Sequence, residues 1–297
     1  MANNVVRQKY SFKKALRYLR NGSKFLAFNK DFNFQDKFKT VRRNPTVRDL
    51  NLHNMILKKI IVRENGERYF LLDGFKIFFQ PDYNIINDDF FLKAITQILA
   101  ETYLFPVFFN SKIRLAEGSV VFDIGACIGT TALMFSRIVG DRGKVFAFEP
   151  VTYNIINKNI IQNSVKNIEV VSKGVCDKSG ITEIEKSDFC IDSSICKREY
   201  TAGYYMAKDL IEVITLDEFC SERSLSRLDF IKLDIEGAEE FAIKGAEKII
   251  AKYHPKWSIS SYHIDSENEL QHNKLIKLLK GFGYKIEHEN GFHIYAW

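Results

Sequence analysis

VVFDIGACIGTT, from Val120 to Thr131, is the stretch that decides the fold. A β-branched, apolar run empties into Asp123-Ile124-Gly125 and meets Gly129 where a helix would begin. Glycines at such a bend adopt positive φ and bring the backbone close to a ligand, and the first N–H groups of the following helix have no intrahelical partner. The pattern is a strand-to-helix nucleotide turn. It lacks the full dinucleotide fingerprint, G-x-G-x-x-G, because Ala126 and Cys127 stand where the middle glycine would lie.

Two further strand ends point to the same crevice. KVFAFEP runs apolar from Lys144 to Phe148 and ends in Glu149, 24 positions beyond Gly125. A carboxylate at the tip of the neighbouring strand accepts both hydrogen bonds of a ribose diol. LDFIKLDIEGAEEFAIKGA, Leu228 to Ala246, is an apolar strand that runs into Asp234, Glu236 and Gly237 ahead of an amphipathic helix. Ligands of open α/β sheets bind outside the carboxyl ends of the strands, so Asp234 and Glu236 face the crevice of Gly125 and Glu149.

The rest of this region alternates. Strands are expected at 119–123, 144–148, 168–172, 210–214, 228–233 and 256–260, and helices at 130–138, 152–163, 238–251 and 267–281. Such alternation predicts a parallel, doubly wound sheet. YKIEHENGFHIYAW closes the chain as a hairpin, Tyr284–His288 and Phe292–Trp297 joined at Glu289-Asn290-Gly291.

These residues resemble the FkbM-type methyltransferases, class I enzymes that use S-adenosyl-L-methionine. The resemblance rests on DIGACIG, on FEP followed by Asn154, on GVCDKSG (Gly174–Gly180), on ITLDEF (Ile214–Phe219) and on KLDIEGAE (Lys232–Glu239), and it covers about residues 118 to 297. It implies a mostly parallel seven-stranded sheet, Rossmann-like, ending in an antiparallel hairpin, which a nicotinamide dehydrogenase normally lacks. It places the cofactor against Asp123, Gly125, Ala126, Gly129, Glu149, Pro150, Asn154, Val175 and Asp234, and it implies a small-molecule or glycan hydroxyl as acceptor. Two departures stand out: Cys127 where the family usually carries Asn, and Ser261-Tyr262 where many relatives have Glu before His263.

Transfer of a methyl group to a hydroxyl needs a base within hydrogen-bond reach. Asp234 and Glu236 are the first candidates, Asp234 nearer the strand end and Glu236 alternatively capping the helix that begins near Ala238. His263 follows the WSISSY strand to the same edge, where a neutral imidazole would serve as base near pH 7. His254, His288 and His293 read as structural, and Asp192-Ser193-Ser194, in the insert before the fourth strand, as a lining of the acceptor side. The spacing of His, Cys, Asp and Glu along the chain shows no metal site.

Charge divides the chain of 297 residues. Residues 1–48 hold 13 Lys or Arg against Asp31 and Asp36, a formal +11 in a protein of net +6. Phe12, Leu16 and Leu19 keep helical spacing within this segment. It fits an anionic membrane surface, a phosphate-bearing substrate or a helix docked on the catalytic domain, and no nucleic-acid motif accompanies it. ILKKIIVRENGERYFLLDGFKIFFQP reads as two or three strands with turns at Asn65-Gly66 and Asp73-Gly74, and Phe91 to Phe109 as a helix closed by Pro106. Residues 1–110 therefore form a basic α/β cap and 111–297 the cofactor domain. No run of 18 apolar residues exists, the N-terminus lacks a signal-peptide core, and Cys127, Cys176, Cys190, Cys196 and Cys220 show no C-x-x-C pair, so a cytoplasmic protein with reduced thiols is expected, membrane-peripheral at most. Two other readings stay open: a nicotinamide-dependent oxidoreductase, and a non-catalytic protein of this fold that presents its basic segment to a membrane or polyanion.

Overall fold

The computed structural model describes residues 61–64, 67–72, 74–79, 108–186, 193–196, 207–263, 271–289 and 293–297. The basic segment 1–48, the Asn65-Gly66 turn, all but the end of the helix expected at 91–109, Cys190 and Asp192 lie outside those residues. The chain forms two compact units, Met1–Val107 and Phe108–Trp297.

In the first unit three strands, β1 (Ile61–Glu64), β2 (Glu67–Leu72) and β3 (Phe75–Phe78), form an antiparallel sheet in that order. Gly74, at φ 80°, makes the second turn, and Tyr69, Phe75, Ile77 and Phe78 are buried.

The second unit is built on seven strands: β4 (Val120–Ile124), β5 (Lys144–Phe148), β6 (Ile168–Val171), β10 (Phe230–Leu233), β11 (Lys256–Ser260), β12 (Ile286–Glu289) and β13 (His293–Ala296). Their order is β12-β13-β11-β10-β4-β5-β6. β4, β5, β6, β10 and β11 run parallel, and the closing hairpin lies antiparallel at one edge. Central parallel strands are covered on both faces, which is why VVFDI and FIKL read as continuous runs. On one face Phe122, Phe146 and Phe148 meet Phe219 of α3 (Leu216–Glu222), with ring centroids 4.8–5.5 Å from it. On the other, Phe230 and Phe109 meet Phe135 of α1 (Thr130–Val139).

Register places the site. Ile124 pairs with Phe148 on one side and Leu233 on the other, and Leu233 pairs with Ile259. The next residues, Gly125, Glu149, Asp234 and Ser260, therefore stand level at the carboxyl edge of four adjacent strands.

Two expectations are corrected. The strand at 210–214 is real but longer, β9 (Ala207–Ile214), and it leaves the main sheet to join β7 (Gly174–Val175) and β8 (Gly180–Lys186) in a second sheet ordered β7-β9-β8. The helix at 238–251 is two helices, α4 (Glu239–Lys244) and α5 (Glu247–Tyr253). It breaks at Gly245 because the backbone there runs against another segment: a Cβ on Gly245 would sit 2.2 Å from the Cys176 carbonyl oxygen. Asp217, from the ITLDEF motif, closes the break by accepting the N–H groups of Lys248 (3.0 Å) and Ile249 (2.9 Å), which opens α5. The remaining helices are α2 (Tyr153–Gln162) and α6 (His272–Gly281). Among the described residues no helix is long and apolar enough to cross a membrane.

Candidate active site

The nucleotide turn is held mainly from inside the protein. Gly125 has φ 76° and Gly129 φ 86°. A Cβ on Gly125 would lie 1.9 Å from the Asp234 carbonyl oxygen, so glycine is required there by the approach of two backbones. The N–H groups of Gly125 and Ala126 both donate to the Phe148 carbonyl (3.0 and 3.1 Å), and that of Gly129 to the Ala126 carbonyl (2.7 Å). Closure of the turn on β5 and on itself thus consumes these three N–H groups, all of which precede the helix.

Glu149 is the other half of the brace. Its Oε2 accepts the Cys127 N–H (3.0 Å) and its Oε1 those of Val151 (2.9 Å) and Thr152 (3.2 Å). Burial raises its pKa, against the pull of these three bonds and of Lys232. Thr152 donates to the Cys127 carbonyl at 2.5 Å and Asn159 to the Ile128 carbonyl at 2.8 Å. The amide missing at Cys127 is therefore supplied by Asn159, which is fully buried, whereas Asn154 is exposed on the first turn of α2. Pro150 is half-buried between Glu149 and the amides it accepts. Val175 packs its side chain into the main core.

Beneath the turn lies a buried charge pair that the sequence reading passed over. Asp123 accepts from the Thr131 hydroxyl at 2.5 Å and faces the Lys232 ammonium at 3.4 Å. Lys232 donates to the carbonyls of Gly125 (2.7 Å) and Ile124 (3.3 Å). Burial pulls its pKa down, but Asp123 and Asp234 outweigh burial and the net shift is upward. Asp123 thus underpins the turn from below. A lone lysine inside the apolar FIKLD strand was the available signal, because lysine is almost never buried unpaired.

On the acceptor side three predicted residues converge. His263 Nε2 lies 3.5 Å from Asp234 Oδ1 and 3.4 Å from Glu236 Oε1, while its Nδ1 is 2.7 Å from Glu239 Oε1. Burial alone would lower the His263 pKa, but Glu236 and Glu239 carry it well above the usual value. Burial also raises Asp234, opposed by Lys232 and His263. Nε2 of His263 and Oδ1 of Asp234 are buried without a hydrogen-bond partner.

Glu236 does not cap the helix. Glu239, the first residue of α4, accepts the N–H groups of Ile235 (3.0 Å) and Gly237 (3.1 Å) in the loop before the helix, and Gln271 Oε1 accepts the Glu240 N–H of the first turn (3.2 Å). Glu236 instead sits at φ 57°, a left-handed conformation that costs on the order of 1–3 kcal/mol and persists only under external restraint. The restraint is visible: Ser194 donates to the Glu236 carbonyl (2.7 Å), and Cys196 (3.2 Å) and Gln271 donate to that of Gly237. The insert thus shapes the acceptor loop from behind. Tyr262 lies against His263 with centroids 4.2 Å apart, and Ser261 is paired with His272 at 2.7 Å. His254 ends α5 and stacks on Tyr284, and His293 pairs with Ser258, as expected of structural histidines.

Comparison with known proteins agrees with this geometry. Residues 123–286 match the model of the methyltransferase FkbM domain. The chain is 24% identical over 210 residues to the 31-O-demethyl-FK506 methyltransferase FkbM of Streptomyces tacrolimicus, covering 59% of this chain and 75% of that protein. It is 23% identical over 175 residues to the 2-O-methyltransferase NoeI of Sinorhizobium fredii, covering 55% and 72%. A shorter match, 35% over 63 residues, links it to a protein of Sulfolobus acidocaldarius named "Probable cobalt-precorrin-6B C(15)-methyltransferase (decarboxylating)"; it spans 20% of this chain and 33% of that protein.

Proposed function

This chain belongs to the FkbM family of methyltransferases, which use S-adenosyl-L-methionine, and from that premise we propose that it methylates a hydroxyl oxygen of a sugar, glycan or small metabolite. The observation that carries the reading is the unpartnered, buried Oδ1 of Asp234 at the same strand edge as Glu149. Oxygen as the acceptor atom is supported by the names of the two long-matching relatives, a 31-O- and a 2-O-methyltransferase. The nicotinamide alternative gives way to the family match.

The residues present fit the cofactor. Glu149 is fixed in orientation by three N–H groups, and an ionised carboxylate has about four acceptor sites, so one, on Oε2, remains to receive a single ribose hydroxyl. Glu149 would hold the ribose, and Asp234 would stand beside the methionine end. When bound, the cofactor supplies a methyl group on a positively charged sulfur. The protein orients the acceptor hydroxyl in line with that carbon, a positioning effect that reaches roughly 7–11 kcal/mol in well-ordered systems. Asp234 would accept the proton of the acceptor hydroxyl. Glu239 holds the shape of the loop through the N–H groups of Ile235 and Gly237, and the His263 ring stands 3.5 Å from Asp234 Oδ1.

The test is transfer of an isotopically labelled methyl group into a cell extract, with the product identified by mass spectrometry and NMR. Label on oxygen is expected. In the Asp234→Asn variant kcat should fall about 100-fold or more, as for loss of a general base, while S-adenosylhomocysteine affinity changes by less than about threefold. Label on carbon or nitrogen, or unchanged turnover in that variant, overturns the reading.

A further inference from the structure

We propose that Asp234, Glu236 and His263 form a binding site for one divalent metal ion. Each residue offers one ligand atom, and the three atoms lie within 4.8 Å of one another. His263 Nε2 stands 3.5 Å from Asp234 Oδ1 and 3.4 Å from Glu236 Oε1. A charge-assisted N–H···O bond is about 2.7–2.9 Å long, so these contacts are long for one while still within ion-pair range. Two ligands on a tetrahedral cation with bonds of about 2.1 Å are separated by about 3.4 Å. The two gaps from the imidazole match a shared ion, with the two carboxylate atoms within 4.8 Å of each other.

The wide spacing is not a sign of a loose ring. The opposite nitrogen, Nδ1, makes a 2.7 Å bond to Glu239, whose carboxylate is fixed by Ile235 N–H, Gly237 N–H and Gln271. A carboxylate on the far nitrogen is the usual partner of a metal-bound histidine, and it presents Nε2 with its lone pair toward the ion. The side chain of His263 is only 4% exposed, and its Nε2 has no hydrogen-bond partner. It is therefore aimed, buried and unsatisfied, at the two carboxylates. A proton on Nε2 and a cation at the centre are alternatives, because a ligating imidazole is neutral.

Two carboxylates and one imidazole suit manganese, iron or zinc better than calcium or magnesium, which prefer oxygen alone. Three protein ligands leave a position open, as in catalytic sites of this kind. The use of that position rests on the O-methyl transfer reading above: the acceptor hydroxyl would bind there, its proton would pass to a carboxylate oxygen of Asp234, its lone pair would form the O–CH3 bond, and the C–S electrons would remain on sulfur. The site itself does not depend on that reading.

Mn2+ titrated into the full chain and followed by the EPR signal of the free ion tests it. One ion per chain is expected, with affinity reduced at least about tenfold in Glu236→Gln and in His263→Gln, and by about 10- to 100-fold in Glu239→Gln, where only the supporting shell changes. Binding of S-adenosylhomocysteine and the circular dichroism of each variant establish that it is folded; Glu236, partly exposed in a loop, is the variant least dependent on core packing. Absence of binding to the folded wild-type chain at about 1 mM ion, or binding indifferent to the Glu236 and Glu239 changes, overturns the proposal. Methyl transfer that persists in the absence of Mn2+ binding defeats this site and leaves the O-methyl reading standing; Mn2+ binding with label on carbon does the reverse.

Discussion

Glu149→Gln is the substitution that bears most directly on the cofactor cleft. The carboxylate accepts three backbone N–H groups, one on Oε2 and two on Oε1. Glutamine has a single acceptor oxygen. Turned toward Val151 and Thr152, it retains two of those bonds and sets its NH2 group against the Cys127 N–H, donor to donor. A buried N–H left without a partner costs about 1–3 kcal/mol, and the two retained bonds lose their charge assistance. Removal of a buried charge offsets part of this, since burial already raises the Glu149 pKa. A net loss of about 1–3 kcal/mol in folding stability is expected. The cofactor loses more specifically: the ribose hydroxyl that would use the open site on Oε2 meets an NH2 instead of a carboxylate oxygen. Loss of a hydrogen bond to a charged group, about 1.5–3 kcal/mol, corresponds to about a 10- to 150-fold rise in Kd for S-adenosylhomocysteine. Urea unfolding gives the first quantity and isothermal titration calorimetry the second. An affinity within threefold of the wild type would refute the ribose assignment, and unchanged stability would refute the account of the brace.

Three further outcomes follow from the same edge. Lys232→Met strands the buried Asp123 carboxylate and should cost about 3–5 kcal/mol in urea unfolding, with part of the loss recovered in the Lys232→Met/Asp123→Asn double variant; a cost below about 1 kcal/mol contradicts the pairing. Cys127 sits at φ 53°, where an L-residue pays about 1–2 kcal/mol and asparagine less, so Cys127→Asn should raise the melting temperature by about 1–4 °C in calorimetry. A lower melting temperature counts against the strain. His272 has its pKa lowered by burial and then by His288, so the folded chain binds its proton less readily than the unfolded chain does. Its stabilising contribution is present above the unfolded pKa of about 6.5 and is lost as pH falls through the window below it, so the wild type should lose stability faster than His272→Gln between about pH 7 and 5. Parallel melting curves for the two proteins would rule this out.

The parallel core was legible because VVFDI, KVFAF and FIKL are apolar on both faces, and the crevice because the motif residues follow those strands by one position. What the local pattern does not encode is which sheet a strand joins. Yet β9 carried a signal: in DLIEVI the outward residues stay exposed, Leu210 at 69%, an alternation foreign to a doubly covered strand. The break at Gly245 has no such signal, since it depends on the carbonyl of Cys176 nearly 70 residues away. The acidic run around α4 is harder still. Glu236, Glu239 and Glu240 look interchangeable in sequence, and only the left-handed bend at Glu236 separates the carboxylate that meets Nε2 of the imidazole from the one that meets Nδ1 and braces the loop ahead of the helix. Asn154 and Asn159 pose the same problem on one helix, five positions apart and on different faces.

The charges at this edge do not balance, and the imbalance has a direction. Among the described residues, five carboxyl groups, those of Asp123, Glu149, Asp234, Glu236 and Glu239, gather around Lys232 and His263 in a largely buried cleft. Closely spaced carboxylates repel, and two of them, Glu149 and Asp234, have their pKa values raised in consequence of burial. A fold retains such a cluster at a cost in stability when something cationic completes it. Both guests argued for here are cationic: a sulfonium near Asp234, and a divalent ion among Asp234, Glu236 and His263. Transfer of the methyl group discharges the sulfur, so the same field that draws the donor in no longer holds the product, and the charged donor should bind more tightly than S-adenosylhomocysteine by a margin that shrinks as Asp234 and Glu236 are neutralised.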